Sequence, residues 1–253
     1  MNSTRANRES TMNNKITVFL VVMFASLFSF ATVTEAQDMD ADKALNPRQQ
    51  GIVPIAAYTA TGDMEKLRLY LNEGLDAGLT VNEIKEILVQ LYAYAGFPRS
   101  LNAINAFMGV MEERGKKGIQ DEMGKEASPF PAGKSSMEIG TEIQTGLVGR
   151  PVTGPLFTFA PAIDQFLKAH LFGDIFGRDN LDFRSREIAT IAALASMDGV
   201  SSQLRSHFNV GLNVGLTEAQ LRSLVSVLEA KVGKEEAGEA QEILGEVISE
   251  RNK

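Results

Sequence analysis

Residues Leu181 to Leu221 read LDFRSREIATIAALASMDGVSSQLRSHFNVGLNVGLTEAQL, and their periodicity decides the fold class. Asp182 is placed to cap a first helix, whose apolar residues Ile188, Ile191, Ala192 and Ala195 recur at helical spacing before Asp198-Gly199 breaks it. A second helix carries Leu204, His207, Phe208, Gly211 and Leu212 on one face. Gly215 stops it, being free to take the left-handed conformation that ends many helices. Thr217 then opens a third helix with Gln220 three residues on, a capping box in which each side chain accepts from the other's backbone N–H.

The same pattern stands earlier in the chain. Leu45, Arg48, Ile52, Ile55, Ala56 and Ala57 match Leu181, Arg184, Ile188, Ile191, Ala192 and Ala193 at a spacing of 136. One inserted residue in the following turn makes the spacing 137. Leu67, Arg68, Asn72, Gly74, Leu75, Gly78, Leu79 and Thr80 then match Leu204, Arg205, Asn209, Gly211, Leu212, Gly215, Leu216 and Thr217. The third helix continues the register, with Ile84, Ile87, Leu88 and Leu91 against Leu221, Leu224, Val225 and Leu228, and Gly96 against Gly233. Glycines and caps that agree at equivalent helix ends point to a duplicated module, since apolar periodicity alone does not require them. Gly115 to Pro131 is charged and then rich in Gly, Ser and Pro, as suits a surface connection. Short helices are expected over Ser136 to Val148 and Pro161 to Gly173, and no stretch alternates like a strand, so the chain reads as all-α.

Composition removes several chemistries. The 253 residues carry a net charge of −7 and no basic stripe, which argues against nucleic acid as a partner. With no cysteine there is no disulfide, thiolate metal site or nucleophilic thiol. Two histidines, His170 and His207, are too few for an imidazole-rich metal centre, so no metal site is assigned. At the start, Arg5, Arg8 and Lys15 precede the uncharged run Ile16 to Thr32, and Thr34-Glu35-Ala36 offers a small-x-small cleavage site. Residues 1–36 therefore read as a secretory signal cut after Ala36, which sends the protein to the periplasm or outside the cell. A retained anchor is the alternative, because the run lies between a usual signal core and the roughly 20 residues that span a bilayer; membrane attachment follows only in that case. Met12 is an alternative start. The divisions are then 37–114 for the first module, 115–135 for the linker and 136–253 for the second module.

The runs FGDIFGRDNLDFRSREIATIAAL and LRSHFNVGLNVGLTEAQL resemble the carboxymuconolactone decarboxylase family, and LRLYLNEGLDAGLTVNEIKEILVQLYAYAGFPRSLNA resembles the later part of the same module. The resemblance covers most of residues 45 to 248 and rests on the Arg-x-x-Glu helix start, the Leu-Arg-x-His helix, the Gly-Leu-Thr cap and the Tyr-Ala-Gly-Phe-Pro turn. It implies a duplicated all-α module of the carboxymuconolactone decarboxylase / alkylhydroperoxidase D-like type, assembled into rings. For a tandem chain that means a homo-oligomer, a trimer by analogy. Alkylhydroperoxidase D-like relatives use a Cys-x-x-Cys pair just before a histidine, where this chain has Asp198-Gly199-Val200-Ser201-Ser202. Thiol-based peroxide reduction is thereby excluded, and the resemblance implies a cofactor-independent lyase or isomerase acting on a small carboxylated lactone or related carbonyl compound. A non-catalytic periplasmic ligand-binding or assembly module is the rival reading.

Such a reaction needs a proton donor and cations for carboxylates. His207 is the candidate acid, because an unperturbed imidazole changes charge near neutral pH and this one lies on an inward helix face. Its ordinary alternative is a hydrogen-bonded core histidine in place of Tyr70, its counterpart in the first copy. Glu187 is the candidate partner that orients it, and the alternative is a helix-surface pair with Arg184. The first copy has Gly51 where the second has Glu187. Arg178, Arg184 and Arg205 are candidates for carboxylate binding, with solvated charge as the alternative for each and a structural role the safer reading for Arg205. Tyr94, Phe97 and Arg99 occur only in the first copy, which suggests one composite site combining them with Glu187 and His207; core packing is the alternative for the two aromatics. His170 has no partner motif and reads as structural.

Overall fold

A computed structural model describes residues 44–253. The leader and its cleavage site lie outside the described residues. Each copy begins with a capped helix: α1 (Pro47–Thr61) starts at Asn46, whose side chain accepts from Gln49 N, and α9 (Phe183–Ala195) starts at Asp182, which accepts from Ser185 N at 3.0 Å. These two caps stand at matching positions of the repeat. Both helices are apolar nearly all round, every residue from Gly51 to Ala60 and from Ser185 to Ala195 is buried, and α1 packs along α9. A helix with no polar face has nowhere to go but the centre, and here each copy supplies the cover for the other's.

Around this pair the two copies repeat their helices. In the first copy α2 (Met64–Asp76), α3 (Val81–Gln90), the single turn α4 (Tyr92–Ala95) and α5 (Phe97–Lys116) pack on α1. In the second, α10 (Ser201–Asn213), α11 (Glu218–Lys231) and α12 (Lys234–Arg251) pack on α9. Capping boxes open both third helices, Thr80 with Glu83 and Thr217 with Gln220, and the preceding turns bend at Gly78 and Gly215 with φ of 93° and 92°. Even the close contacts correspond. A Cβ on Gly74 would lie 2.8 Å from Ile55 Cδ1 and 3.1 Å from Leu79 Cδ1; on Gly211 it would lie 3.4 Å from Ile191 Cδ1 and 3.3 Å from Leu216 Cδ1. The duplication read from sequence is thus a duplication of packing, all helical, with no strand among the described residues.

Between the copies the connection docks rather than hanging free. Its carbonyls at Glu122 and Met123 accept from Val81 N and Asn82 N, satisfying two orphan donors at the start of α3, and Asp179 accepts from Ser128 N at 2.7 Å. There follow α6 (Ser136–Val148), α7 (Pro155–Phe159), α8 (Pro161–Gln165) and a π-helix (Phe166–Ile175). The helix expected over Pro161 to Gly173 therefore changes its winding midway, and the Phe176 N to Leu171 O bond at 2.9 Å spans five residues. α6 crosses the π-helix backbone to backbone at Gly140 and Gly173, where a Cβ would fall 1.7 Å from Lys168 O and 2.2 Å from Ser136 O respectively. Leu147, Leu171, Ile175 and Phe176 form a small separate core under this hairpin, packed against Tyr92 and Tyr94 of the first copy. No described helix is long and apolar enough to cross a membrane.

Candidate active site

Glu187 sits one turn into α9 and is wholly buried, at 0 % exposure, while His207 on α10 keeps 15 % of its side chain exposed. His207 Nδ1 lies 2.7 Å from Glu187 Oε2. That contact leaves Nε2 as the ring nitrogen available to a ligand, and fixes the imidazole's plane. Tyr94 arrives from α4 of the other copy and meets the imidazole edge-on, with ring centroids 5.6 Å apart at 76°. Its hydroxyl is pushed above its ordinary range, chiefly by burial and next by the charge of Glu187. Tyr94 is therefore a neutral phenol here. Both Tyr94 Oη and Glu187 Oε1 are buried without a hydrogen-bond partner, although the Thr190 hydroxyl stands beside the phenol outside bonding geometry. Two unsatisfied polar atoms in one place are costly unless something else binds them.

His207 and Tyr94 line a cleft of about 1020 Å³, with Glu187 buried behind the imidazole. Leu156, Phe157, Leu167 and Phe172 wall it from the hairpin side, Leu194 and Met197 from α9 and its end, and Gln203, Asn209 and Asn213 from α10. Arg150 and Arg251 are its cations. Sequence reasoning passed over both arginines. The repeat register, carried through to the last helix, finds one of them, because Arg251 stands 137 positions after Arg114.

The other expected substrate-binding residues are engaged elsewhere. Arg178 donates from Nε to Glu86 Oε2 at 2.9 Å and joins a buried cluster in which Arg186, at 0 % exposure, bonds Glu86, Gln90 and the Arg178 carbonyl. Burial draws the Arg186 guanidinium below its ordinary range and Glu86 opposes this. Arg184 donates to Val214 O at 3.2 Å, just as Arg48 donates to Gly78 O at 3.1 Å, so both tie down the end of a second helix. Arg184 does not pair with Glu187. Arg205 pairs with Glu246 and Glu250 on α12, as Arg68 pairs with Glu113 on α5. Phe97 stacks on Tyr92 at 4.2 Å and is 61 % exposed, and exposed Arg99 lies beside Gly62. Gly96, with φ of 86°, turns the chain away after α4, so the composite arrangement contains Tyr94 but neither Phe97 nor Arg99. His170 binds Asp174 at 2.9 Å, apart from the cleft lining.

The corresponding place in the first copy is a smaller cleft of about 320 Å³, lined by Gly51, Glu73, Asp76 and Lys231. Lys231 occupies the position of Tyr94, Tyr70 that of His207 and Gly51 that of Glu187. Both Tyr58 and Tyr70 donate to Lys231 O, at 2.8 and 3.2 Å, their rings stack at 5.4 Å, and Lys231 Nζ pairs with Glu73 at 2.7 Å. One copy of the motif lacks the acid and the imidazole, while its twin pairs a buried acid with an imidazole that lines the larger cleft. Comparison with known proteins agrees with the repeat. An uncharacterized protein of Methanocaldococcus jannaschii is 25 % identical over 83 residues, which is 33 % of this chain and 78 % of that protein. The carboxymuconolactone decarboxylase family matches twice, over residues 29–108 and again over residues 161–246. The second match takes in Glu187 and His207, the first takes in Tyr94 and opens within the stretch read as a leader, and together they span about two thirds of the chain. The chain therefore belongs to the carboxymuconolactone decarboxylase family, as a tandem member with two helical modules.

Proposed function

We propose that the protein is a cofactor-independent lyase or isomerase that acts on a small carboxylated lactone or related carbonyl compound by proton transfer through His207. The observation that carries this is the 2.7 Å contact from Glu187 to His207 Nδ1, which turns the opposite nitrogen to a ligand-sized cleft. In a decarboxylation the bond to the carboxylate carbon breaks, CO2 leaves, and the electron pair moves onto the conjugated lactone carbonyl as a dienolate. His207 Nε2 delivers the proton that forms the new carbon–hydrogen bond, and the Glu187 carboxylate stabilises the imidazolium that precedes delivery. The Tyr94 ring walls the cleft beside the imidazole, with its neutral hydroxyl buried behind it. The absence of cysteine removes thiol chemistry from consideration. Export through the leader and assembly as a trimer of tandem chains belong to the same proposal and rest on the sequence.

The test is turnover of a panel of unsaturated lactones with and without carboxylates, followed by ultraviolet absorbance. His207→Ala is expected to abolish it; unchanged turnover in that variant removes the proposed acid. The first copy favours a second reading, since it keeps the helical module and a smaller cleft without the acid–imidazole pair. A binding module would bind panel members and convert none.

A further inference from the structure

Arg114 and Arg251 occupy matching positions near the ends of α5 and α12, and so do the residues that hold them: Asn72 matches Asn209, and Asp76 matches Asn213. In the first copy the guanidinium is neutralised. Arg114 donates to Asp121 through Nε and Nη2 at 2.9 and 2.7 Å, to Asp76 Oδ1 at 2.8 Å and to Asn72 Oδ1 at 3.3 Å. These contacts, the Asp121 hydrogen bond foremost, hold its proton more tightly than usual. In the second copy the cradle is kept, and Asn213 stands where the first copy has the acid Asp76. Arg251 Nη1 donates to Asn209 O at 3.1 Å and to Asn209 Oδ1 at 3.3 Å, and Nη2 donates to Asn213 Oδ1 at 2.9 Å. Among the described residues no carboxylate pairs with it.

A guanidinium fixed by neutral acceptors keeps its whole charge and, with five N–H groups, retains donors in a planar fork. Nε–H and one Nη2–H remain, and the side chain lines the same cleft as His207, Asn209 and Asn213. We infer that Arg251 is the specificity-determining anchor of this cleft, binding a carboxylate of the substrate, and that the amide at Asn213, where the first copy has the acid Asp76, holds the guanidinium without neutralising it. The inference rests on the reading of the cleft as a substrate site. It assigns the carboxylate preference to a residue on the last helix, outside the segment that supplies Glu187 and His207.

The experiment is isothermal titration calorimetry of the whole chain with an unsaturated five-membered lactone carrying a carboxymethyl group, and with its methyl ester. Charge-assisted hydrogen bonds of this kind make the acid bind roughly 10- to 100-fold more tightly than the ester in the parent protein. Arg251→Met is expected to bring that ratio close to one. Asn213→Asp, which restores the acid of the first copy, is expected to lower it likewise while Arg251 remains; the fold accepts that residue, since Asp76 occupies the matching place. Equal binding of acid and ester by the parent protein, binding of neither, or a ratio unmoved by both variants overturns the inference. Because binding is read without turnover, the two readings fail separately. Discrimination that depends on Arg251 in a protein that converts nothing keeps the anchor and removes the lyase, whereas His207-dependent turnover indifferent to both variants does the reverse.

Discussion

Glu187 and His207 lie twenty positions apart on consecutive helices, and the pair was legible because the duplicated copy lacks it at both positions at once. What the sequence could not supply was the state of the other polar atoms. Tyr94 stood out as an aromatic present in one copy only, but its buried, unpartnered hydroxyl depends on a contact between copies that no local pattern encodes. Two predictions follow from its surroundings. Tyr94→Phe removes a buried hydroxyl that gains nothing from the folded protein and keeps the ring that walls the cleft, so stability is expected to hold or rise by about 1 kcal/mol, with turnover retained; paired thermal melts and rate measurements check both. A loss of more than that in stability would make the phenol structural. Glu187→Gln keeps a hydrogen-bonding group beside Nδ1 but removes the charge that favours imidazolium, and a fall in kcat of roughly 10- to 100-fold with KM nearly constant is expected. The arginines were harder to read, since a charge type says nothing about its partners: Arg178, Arg184 and Arg205 each bond groups distant in sequence.

At the scale of elements, capped helix starts and glycine stops were readable because their signals are local, as at Asp182, Gly215 and Thr217. The π-helix was not, because its apolar residues fit an ordinary helical period and its backbone is set by the crossing with α6. Gly140→Ala is expected to lower stability by about 3 kcal/mol, through overpacking against the Lys168 carbonyl, and to disturb the cleft wall. Gly146→Ala on the same helix meets no atom within 4 Å and is expected to stabilise by up to about 1 kcal/mol. Chemical denaturation of the two variants side by side isolates the crossing from helix propensity. The docked connection adds a pH dependence. The Lys125 ammonium, and then the Ser128 N–H and hydroxyl, hold the Asp179 carboxyl well below the usual carboxylate range. A depressed folded-state pKa stabilises fully above the unfolded value near 3.9, and the contribution is lost as pH falls through the folded value. Protection of the Ser128 N–H relative to its intrinsic exchange rate is therefore expected to persist at pH 4 and to be lost only in stronger acid, and Asp179→Asn is expected to remove it at neutral pH.

Across the whole molecule, duplication has divided the work between copies. Each central helix is too apolar to stand without the other: Ile188, Ile191 and Ala192 bury against the helix that holds Ile52, Ile55 and Ala56, all within one continuous core. The site is divided in the same way, with the acid and imidazole from one copy and the phenol from the other. Neither half is then a domain in the thermodynamic sense, whatever the exposed connection between them suggests. Residues 136–253 expressed alone leave the face of α9 that α1 covers open to water, and at roughly 25 cal/mol per Å² of apolar surface this is more than a domain of modest stability tolerates. That fragment is expected to be aggregated or poorly helical. A cut between Gly133 and Lys134 falls in an exposed turn away from the docked contacts and breaks no helix. The nicked chain is expected to stay associated on gel filtration, to keep its helical circular dichroism and to retain the lactone binding of the intact protein. An isolated second half that is soluble, fully helical and as stable as the whole would mean that α1 covers α9 without stabilising it.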